Sequence, residues 1–207
     1  MNDATDFQSI SPTTLADVLG RDQVMDSSIR PLWFPIPRIA GPAFTVRCAP
    51  GDNLMLHAAI YRADPGAVIV VEAGDSEYAV AGGNVCAVAQ SRGVAAFVID
   101  GVIRDLAEVR EMRFPVFARG VIPIPGAKAV VHPLNEMVRC GSVNVAAGDV
   151  VVGDEEGIVV TPHANRERVL RDARARLAME TGESLEAWEA SHRARIDKIL
   201  GEHGFTG

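Results

Sequence analysis

The sequence predicts a compact α/β fold, and three observations carry that reading. Apolar residues make up 48% of the 207 and charged residues 23%, with Ala, Val and Gly prominent and aromatics at only 5%, a composition that suits short, closely packed elements. Strand-like β-branched runs alternate with short helical patterns through the first 120 or so residues. Gly and Pro punctuate the runs throughout, and the length holds one domain with a full core plus a peripheral element.

Taken in order, Ser11-Pro12-Thr13-Thr14 supplies N-cap chemistry for a short helix over LADVLG, with Gly20 as its stop. The proline-rich stretch 29–42 predicts an extended loop leading into a strand at 43–48. Asp52-Asn53 caps a helix that runs to about Arg62, Asp64-Pro65-Gly66 turns the chain, and 67–72 is an almost wholly apolar strand. Gly82-Gly83-Asn84 reads as a tight turn that uses positive φ, ahead of a small-residue helix over 85–92. A strand at 94–99, a turn at Asp100-Gly101 and a helix opened by Arg104-Asp105 follow. Further short strands are predicted at 116–118, 130–132, 143–145, 150–152 and 158–161. Gly148-Asp149 and Asp154-Glu155-Glu156-Gly157 are the hairpin or turn signals among them. From His163 to about His203 the chain becomes helical and charged, with fewer apolar positions than a core helix pair needs. The expected organisation is therefore a domain over residues 1–162 and a helical C-terminal extension over 163–207 that packs on the domain or on a neighbouring subunit.

The formal net charge of −7 works against nucleic acid and anionic membranes, so a small anionic substrate needs a locally positive pocket. No apolar run approaches the roughly 20 residues of a membrane span. MNDATDFQSI has neither the basic start nor the apolar stretch of a signal peptide, and a cytoplasmic location is expected. Cys48, Cys86 and Cys140 are far apart with no CxxC pair, so reduced buried thiols are expected rather than a disulfide or structural zinc. Cys86 sits nearest the candidate site, where a helix N-terminus can activate a thiol.

That site is read from residues 81–120. The first amides of a helix have no intrahelical acceptor and can receive a carboxylate or phosphate. The strand and turn that follow place Arg104 and Asp105 at the same end of the sheet, which makes a small anion-and-metal site. Arg119 would add positive charge to the same pocket or to an interface. His57 and His132 read as packed histidines, and no HxxxH spacing supports zinc.

The order of TTLADVLG, IAGPAFTVRCAPGDN, PGAVIVVEAG, the GGN turn, GVAAFVIDGVIRD, FPVFARG and GDVVVGDEEGIVVTP, over residues 12–162, resembles the RraA-like family. That family includes divalent-metal-dependent 4-hydroxy-4-methyl-2-oxoglutarate/4-carboxy-4-hydroxy-2-oxoadipate aldolases and regulators of ribonuclease E activity. The resemblance implies a ββα swivelling-type domain assembled as a homotrimer or homohexamer with active sites between subunits. It implies a class II lyase that releases pyruvate from a 4-hydroxy-2-oxo acid or decarboxylates oxaloacetate. The alternative it leaves is a non-catalytic regulator that binds a protein partner. Arg104 matches the arginine that binds the oxoacid carboxylate, and Asp105 the ligand to Mg²⁺ or Mn²⁺. The amides of Gly82, Gly83, Asn84 and Val85 match the turn that holds the pyruvate unit. Family aldolases also carry an acid upstream of the RD pair, and counting back over residues 84 to 103 reaches Gly83. Glu72, Asp75 and Glu77 are the nearest upstream carboxylates, and Glu180, Glu183, Glu186 or Glu189 of the tail would complete a site in trans. A methyltransferase of the usual nucleotide-binding kind would show a glycine-rich loop after its first strand. This chain opens instead on a helix and a proline-rich loop.

Overall fold

The computed structural model describes residues 3–182 and 184–205. Ser11 accepts a hydrogen bond from the Thr14 amide and caps α1, Pro12–Ala16, which ends four residues before Gly20. The predicted proline-rich loop is shorter than expected: it contains a two-residue strand β1, Arg30–Pro31, and β2 already begins at Ile39 and runs to Arg47. Pro42 is tolerated inside β2 for a local reason. Ala43 spends its amide and carbonyl on Asp149 and Gly148, so the missing Pro42 amide faces the other neighbour, whose ladder begins only at Ala43.

From β2 the chain makes three successive βα units. These are α2, Leu54–Ala59, then β3, Val68–Glu72; α3, Gly83–Ser91, then β4, Ala96–Ile103; and α4, Leu106–Glu111, then β5, Val116–Val121. Strands β2, β3, β4 and β5 pair in parallel, and β1 closes one edge against β5 in antiparallel fashion. The remaining strands are β6, Val138–Cys140, β7, Val143–Val145, β8, Val150–Asp154, and β9, Gly157–Thr161. The main sheet has the order β1-β5-β4-β3-β2-β8-β9, and β6 with β7 forms a separate hairpin.

Two sequence expectations are corrected here. Asp100-Gly101 is no turn: β4 continues through it with a bulge that shifts the β5 register between Ile99 and Val102. Gly101 is needed because a Cβ there would lie 2.5 Å from the Ala73 Cβ and 3.2 Å from the Asp75 carbonyl oxygen. Residues 130–132 form no strand. The Ala129 and Val130 amides instead donate to the Asp52 carboxylate, at 2.6 and 3.2 Å, so a side chain takes the place of a ladder.

The core follows the β-branched runs. Strand β3 is buried from Val68 to Val71, as a central parallel strand must be. Phe97 of β4 meets Phe114 edge to face with centroids 4.9 Å apart, and the Trp33 indole N–H donates to the Phe114 carbonyl at 2.9 Å. A smaller cluster of Phe7, Ile10, Leu15, Val150, Val152, Val159 and Val169 covers the β8–β9 hairpin.

The chain divides into two compact units, Met1–Ala173 and Arg174–Gly207. Helix α5, Arg166–Gly182, spans the division, and α6, Leu185–Glu202, is capped by the Ser184 hydroxyl and has no buried residue. Among the described residues no helix is long and apolar enough to cross a membrane.

Candidate functional site

The site is assembled where the 79–85 segment runs beside the end of β4. The Val80 amide donates to the Val102 carbonyl at 3.0 Å and the Arg104 amide to the Ala81 carbonyl at 3.0 Å, so the glycine turn and the RD pair are stitched together through backbone. Asp105 then adopts the left-handed conformation, φ 57° and ψ 40°, which Asp tolerates better than most residues. This residue starts α4 without capping it. Its carboxylate instead accepts the Gly83 amide at 3.1 Å and lies 3.3 Å from Arg104 Nε. One helix donor expected for a ligand is thus already used by the protein, which leaves the Asn84 and Val85 end of the turn beside the cavity.

That cavity measures about 80 Å³ and is lined by Gly82, Asn84, Val85, Arg104 and Asp105 together with Asn53, His57 and Lys128. Gly83 does not line it. Neither glycine of the turn has positive φ; Gly82 is extended, with φ −157°. Their requirement is spatial. A Cβ on Gly82 would sit 2.5 Å from Asp105 Oδ2 and 3.0 Å from Arg104 Cγ, and one on Gly83 would overlap the Glu108 carboxylate.

Asn53, His57 and Lys128 were not singled out as site residues by the sequence, and the loop that brings Lys128 in is anchored from below. Asp52 is 3% exposed. Burial pushes its carboxyl upward, but the Leu54, Ala129 and Val130 amides outweigh that and hold it below the ordinary value. Asn53 bonds the same loop through its side-chain amide, 3.2 Å from the Gly126 carbonyl, and its amide donates to Ala127. Among the described residues its Oδ1, buried from solvent, has no hydrogen-bond partner. Burial, and then Lys128 and Arg104, lower the His57 pKa below its ordinary value, with Asp52 opposing.

The other expectations sort cleanly. Arg119 pairs with Asp100 and donates to the Ser28 hydroxyl at 2.5 Å, facing a different cavity shared with Glu72 and Asp75. Glu72 is paired with Arg47, and Asp75 accepts the amides of Gly51, Glu77 and Tyr78, so these upstream carboxylates are spent away from Arg104. Glu183 lies outside the described residues, and for Glu180 only the backbone is described. Cys86 is not activated: burial, and then the Asp105 carboxylate, push its thiol up to about 12.

A hard divalent cation fits this donor set only in one manner. Among the described residues no three or more His, Cys, Asp or Glu converge to enclose an ion. Asp105 offers carboxylate oxygen beside the space that Gly82 leaves clear, which suits an ion that keeps most of its waters.

These features are those of an α/β protein of the Aldolase/RraA kind, and the comparisons bear this out. The RraA-like family model, described as Aldolase/RraA, matches residues 9–160, and the chain belongs to that family. It is 37% identical over 197 residues to a Halalkalibacterium halodurans protein provisionally named 4-hydroxy-4-methyl-2-oxoglutarate aldolase, covering 95% of this chain and 90% of that one. It also resembles Streptomyces coelicolor RraAS2, described as an unusual member of the RNase ES inhibitor RraA protein family. That structure aligns with a TM-score of 0.74 and 26% identity, covering 93% and 96% of the two chains. A Geobacillus kaustophilus structure titled as an S-adenosylmethionine:2-dimethylmenaquinone methyltransferase aligns with a TM-score of 0.66 and 28% identity, over 74% and 95%.

Proposed function

We propose that the protein is a divalent-metal-dependent lyase acting on small 2-oxo acids, releasing pyruvate from a 4-hydroxy-2-oxo acid or from oxaloacetate. The observation that carries this reading is the meeting of Arg104, Asp105 and the first turn of α3 in one small cavity. Arg104 directs Nε to Asp105 and has further guanidinium donors with which to grip and orient the substrate carboxylate. The first turn of α3 presents the positive end of a helix to the same group. Lys128 and Arg104 make the cavity cationic in a chain of net charge −7, as an oxoacid dianion requires. Bound Mg²⁺ or Mn²⁺ would be held by Asp105 and would supply Lewis-acid stabilisation of the negative charge that both bond cleavages develop. We place the working form as a homotrimer or homohexamer in the cytoplasm, with residues 163–207 as an extension available to a neighbouring subunit.

The test is pyruvate release from 4-hydroxy-4-methyl-2-oxoglutarate and from oxaloacetate, with Mg²⁺, with Mn²⁺ and with chelator. Turnover is expected to need metal. Removing the Arg104 head group (Arg104→Ala) should cost about 2–5 kcal/mol, roughly 30-fold to several thousand-fold in kcat/KM. Asp105→Ala should abolish the metal response. Metal-independent turnover, or variants as active as wild type, would overturn the reading. No turnover combined with stoichiometric capture of a protein partner would replace it with the regulator.

A further inference from the structure

We infer that α6 is a pairing surface for α6 of a second copy of this chain, laid antiparallel about a two-fold axis at His192; this does not depend on the lyase reading. Helix α6, Leu185–Glu202, is 18 residues long and none of them is buried. A helix in a protein ordinarily draws its stability from an apolar face packed on something else, more than from intrinsic propensity. Ser184 nonetheless caps α6 by accepting the Ala187 amide at 3.2 Å, so the sequence specifies a helix whose apolar face is left uncovered.

That face consists of Leu185, Trp188, His192, Ile196 and Ile199. At about 100° per residue the five lie within about 80° of arc, a narrow seam of the kind that two helices share. Its four large apolar members are between 38% and 74% exposed. At the middle Trp188 stacks on His192 with ring centroids 4.5 Å apart, which fixes both rings before any partner arrives.

The order of these residues identifies the occupant. Leu185 and Ile199 stand seven residues to either side of His192, and Trp188 and Ile196 four to either side, so the seam reads the same in both directions. A second α6 laid antiparallel, His192 against His192, brings Leu185 opposite Ile199 and Trp188 opposite Ile196, and the two-fold axis makes each contact twice. Charge selects the same direction. Glu186 and Glu189 stand before the centre, and Arg193, Arg195 and Lys198 stand after it with Asp197 and Glu202 among them, so the first half is net acidic and the second net basic. Arg193 and Lys198 reach Asp197 and Glu202 within the helix, at 3.8 and 3.9 Å, while Arg195 has no ion pair among the described residues. Antiparallel pairing sets acidic half on basic half, whereas parallel pairing sets like on like.

One such seam, about 20 Å long and one helix wide, falls short of the roughly 1,200 Å² of a stable interface. On an assembly with a three-fold axis three pairs close together, and each makes the next effectively intramolecular. A two-fold contact added to a three-fold axis closes at six subunits, so the pairing selects the homohexamer over the homotrimer of the working form proposed above.

The experiment uses the full chain and measures mass by light scattering behind size exclusion, for wild type, Ile196→Glu and Ile196→Leu. Ile196→Glu puts two carboxylates into each seam and should halve the mass of the assembly, whatever its other contacts are, with the melting temperature unchanged. Ile196→Leu should keep the wild-type mass. A second measurement is oxidative cross-linking of His192→Cys, read on a denaturing gel beside Ala194→Cys, which points away from the seam. Cys48, Cys86 and Cys140 are all buried, so the introduced thiol is the exposed one. His192→Cys should give a covalent dimer and Ala194→Cys should not. A wild type that runs as a single chain, an Ile196→Glu protein of wild-type mass, or equal cross-linking at the two positions would overturn the inference. So would an assembly of more than two chains that Ile196→Glu takes directly to single chains, since α6 would then sit on a neighbour's body and not on its own counterpart.

Discussion

Two cavities lie near the ends of the parallel strands, and both contain arginine and carboxylates, yet they are built to opposite ends. In the wider one, of about 430 Å³, most of the charges are consumed by the protein: Arg119 pairs with Asp100, Arg47 with Glu72, and Asp75 takes three backbone amides. Asp100 also accepts the Gly141 amide and Glu72 the Arg139 amide, so this network fastens β3, β4 and β5 to the β6–β7 hairpin. In the smaller cavity Arg104 has, among the described residues, only Asp105 as an ion-pair partner. Charge alone therefore does not mark a binding site; leftover hydrogen-bonding capacity does.

The contrast can be broken by substitutions that should hurt function and stability separately. Gly82→Ala is expected to cost up to about 100-fold in kcat/KM, because its methyl group displaces the Asp105 carboxylate and Arg104 from their positions. Its extended backbone accepts alanine without strain, so urea unfolding should show wild-type stability or slightly more. Asp100→Ala should do the reverse. It strands the Arg119 guanidinium and the Gly141 amide, which predicts a loss of about 1–3 kcal/mol in the same measurement while pyruvate release per folded molecule stays unchanged. An Asp100→Ala protein that is stable but inactive would merge the two cavities into one functional unit.

The smallest effect concerns His57. Burial, Lys128 and Arg104 lower its pKa in the fold below the ordinary 6.5, with only Asp52 opposing. The folded state therefore favours the neutral ring. Its contribution is complete above about pH 6.5 and is lost as pH falls toward the lowered folded value, where the unfolded chain binds the proton more readily. Thermal melts at pH 7.5 and 5.5 should show a smaller drop for His57→Gln than for wild type, and equal drops would mean that the imidazole is not held neutral.

The fold was legible wherever local pattern decides it. The β-branched run at 67–72 became β3 and the GGN turn became the start of α3, because burial and backbone chemistry there need only neighbours in sequence. The bulge at Asp100-Gly101 was not legible, since Asp-Gly is an ordinary turn signal and only contact with Ala73 shows why glycine is required inside a strand. At the site, Arg104, Asp105 and the turn were readable as a set. Asn53 and Lys128 were not, because the loop held by Asp52 brings them in from distant parts of the chain.

The β4 bulge has one more consequence, which concerns length rather than chemistry. Strand residues alternate between faces, so the register shift between Ile99 and Val102 sets the phase in which Arg104 and Asp105 leave the sheet, separately from the phase of Asp100. Deleting one residue there would turn the RD pair away from the α3 turn while leaving every other side chain in the sequence. In relatives of this protein β4 should therefore accept exchanges of residue far more readily than insertions or deletions, and the spacing from Asp100 to Arg104 should vary less than the residues that fill it.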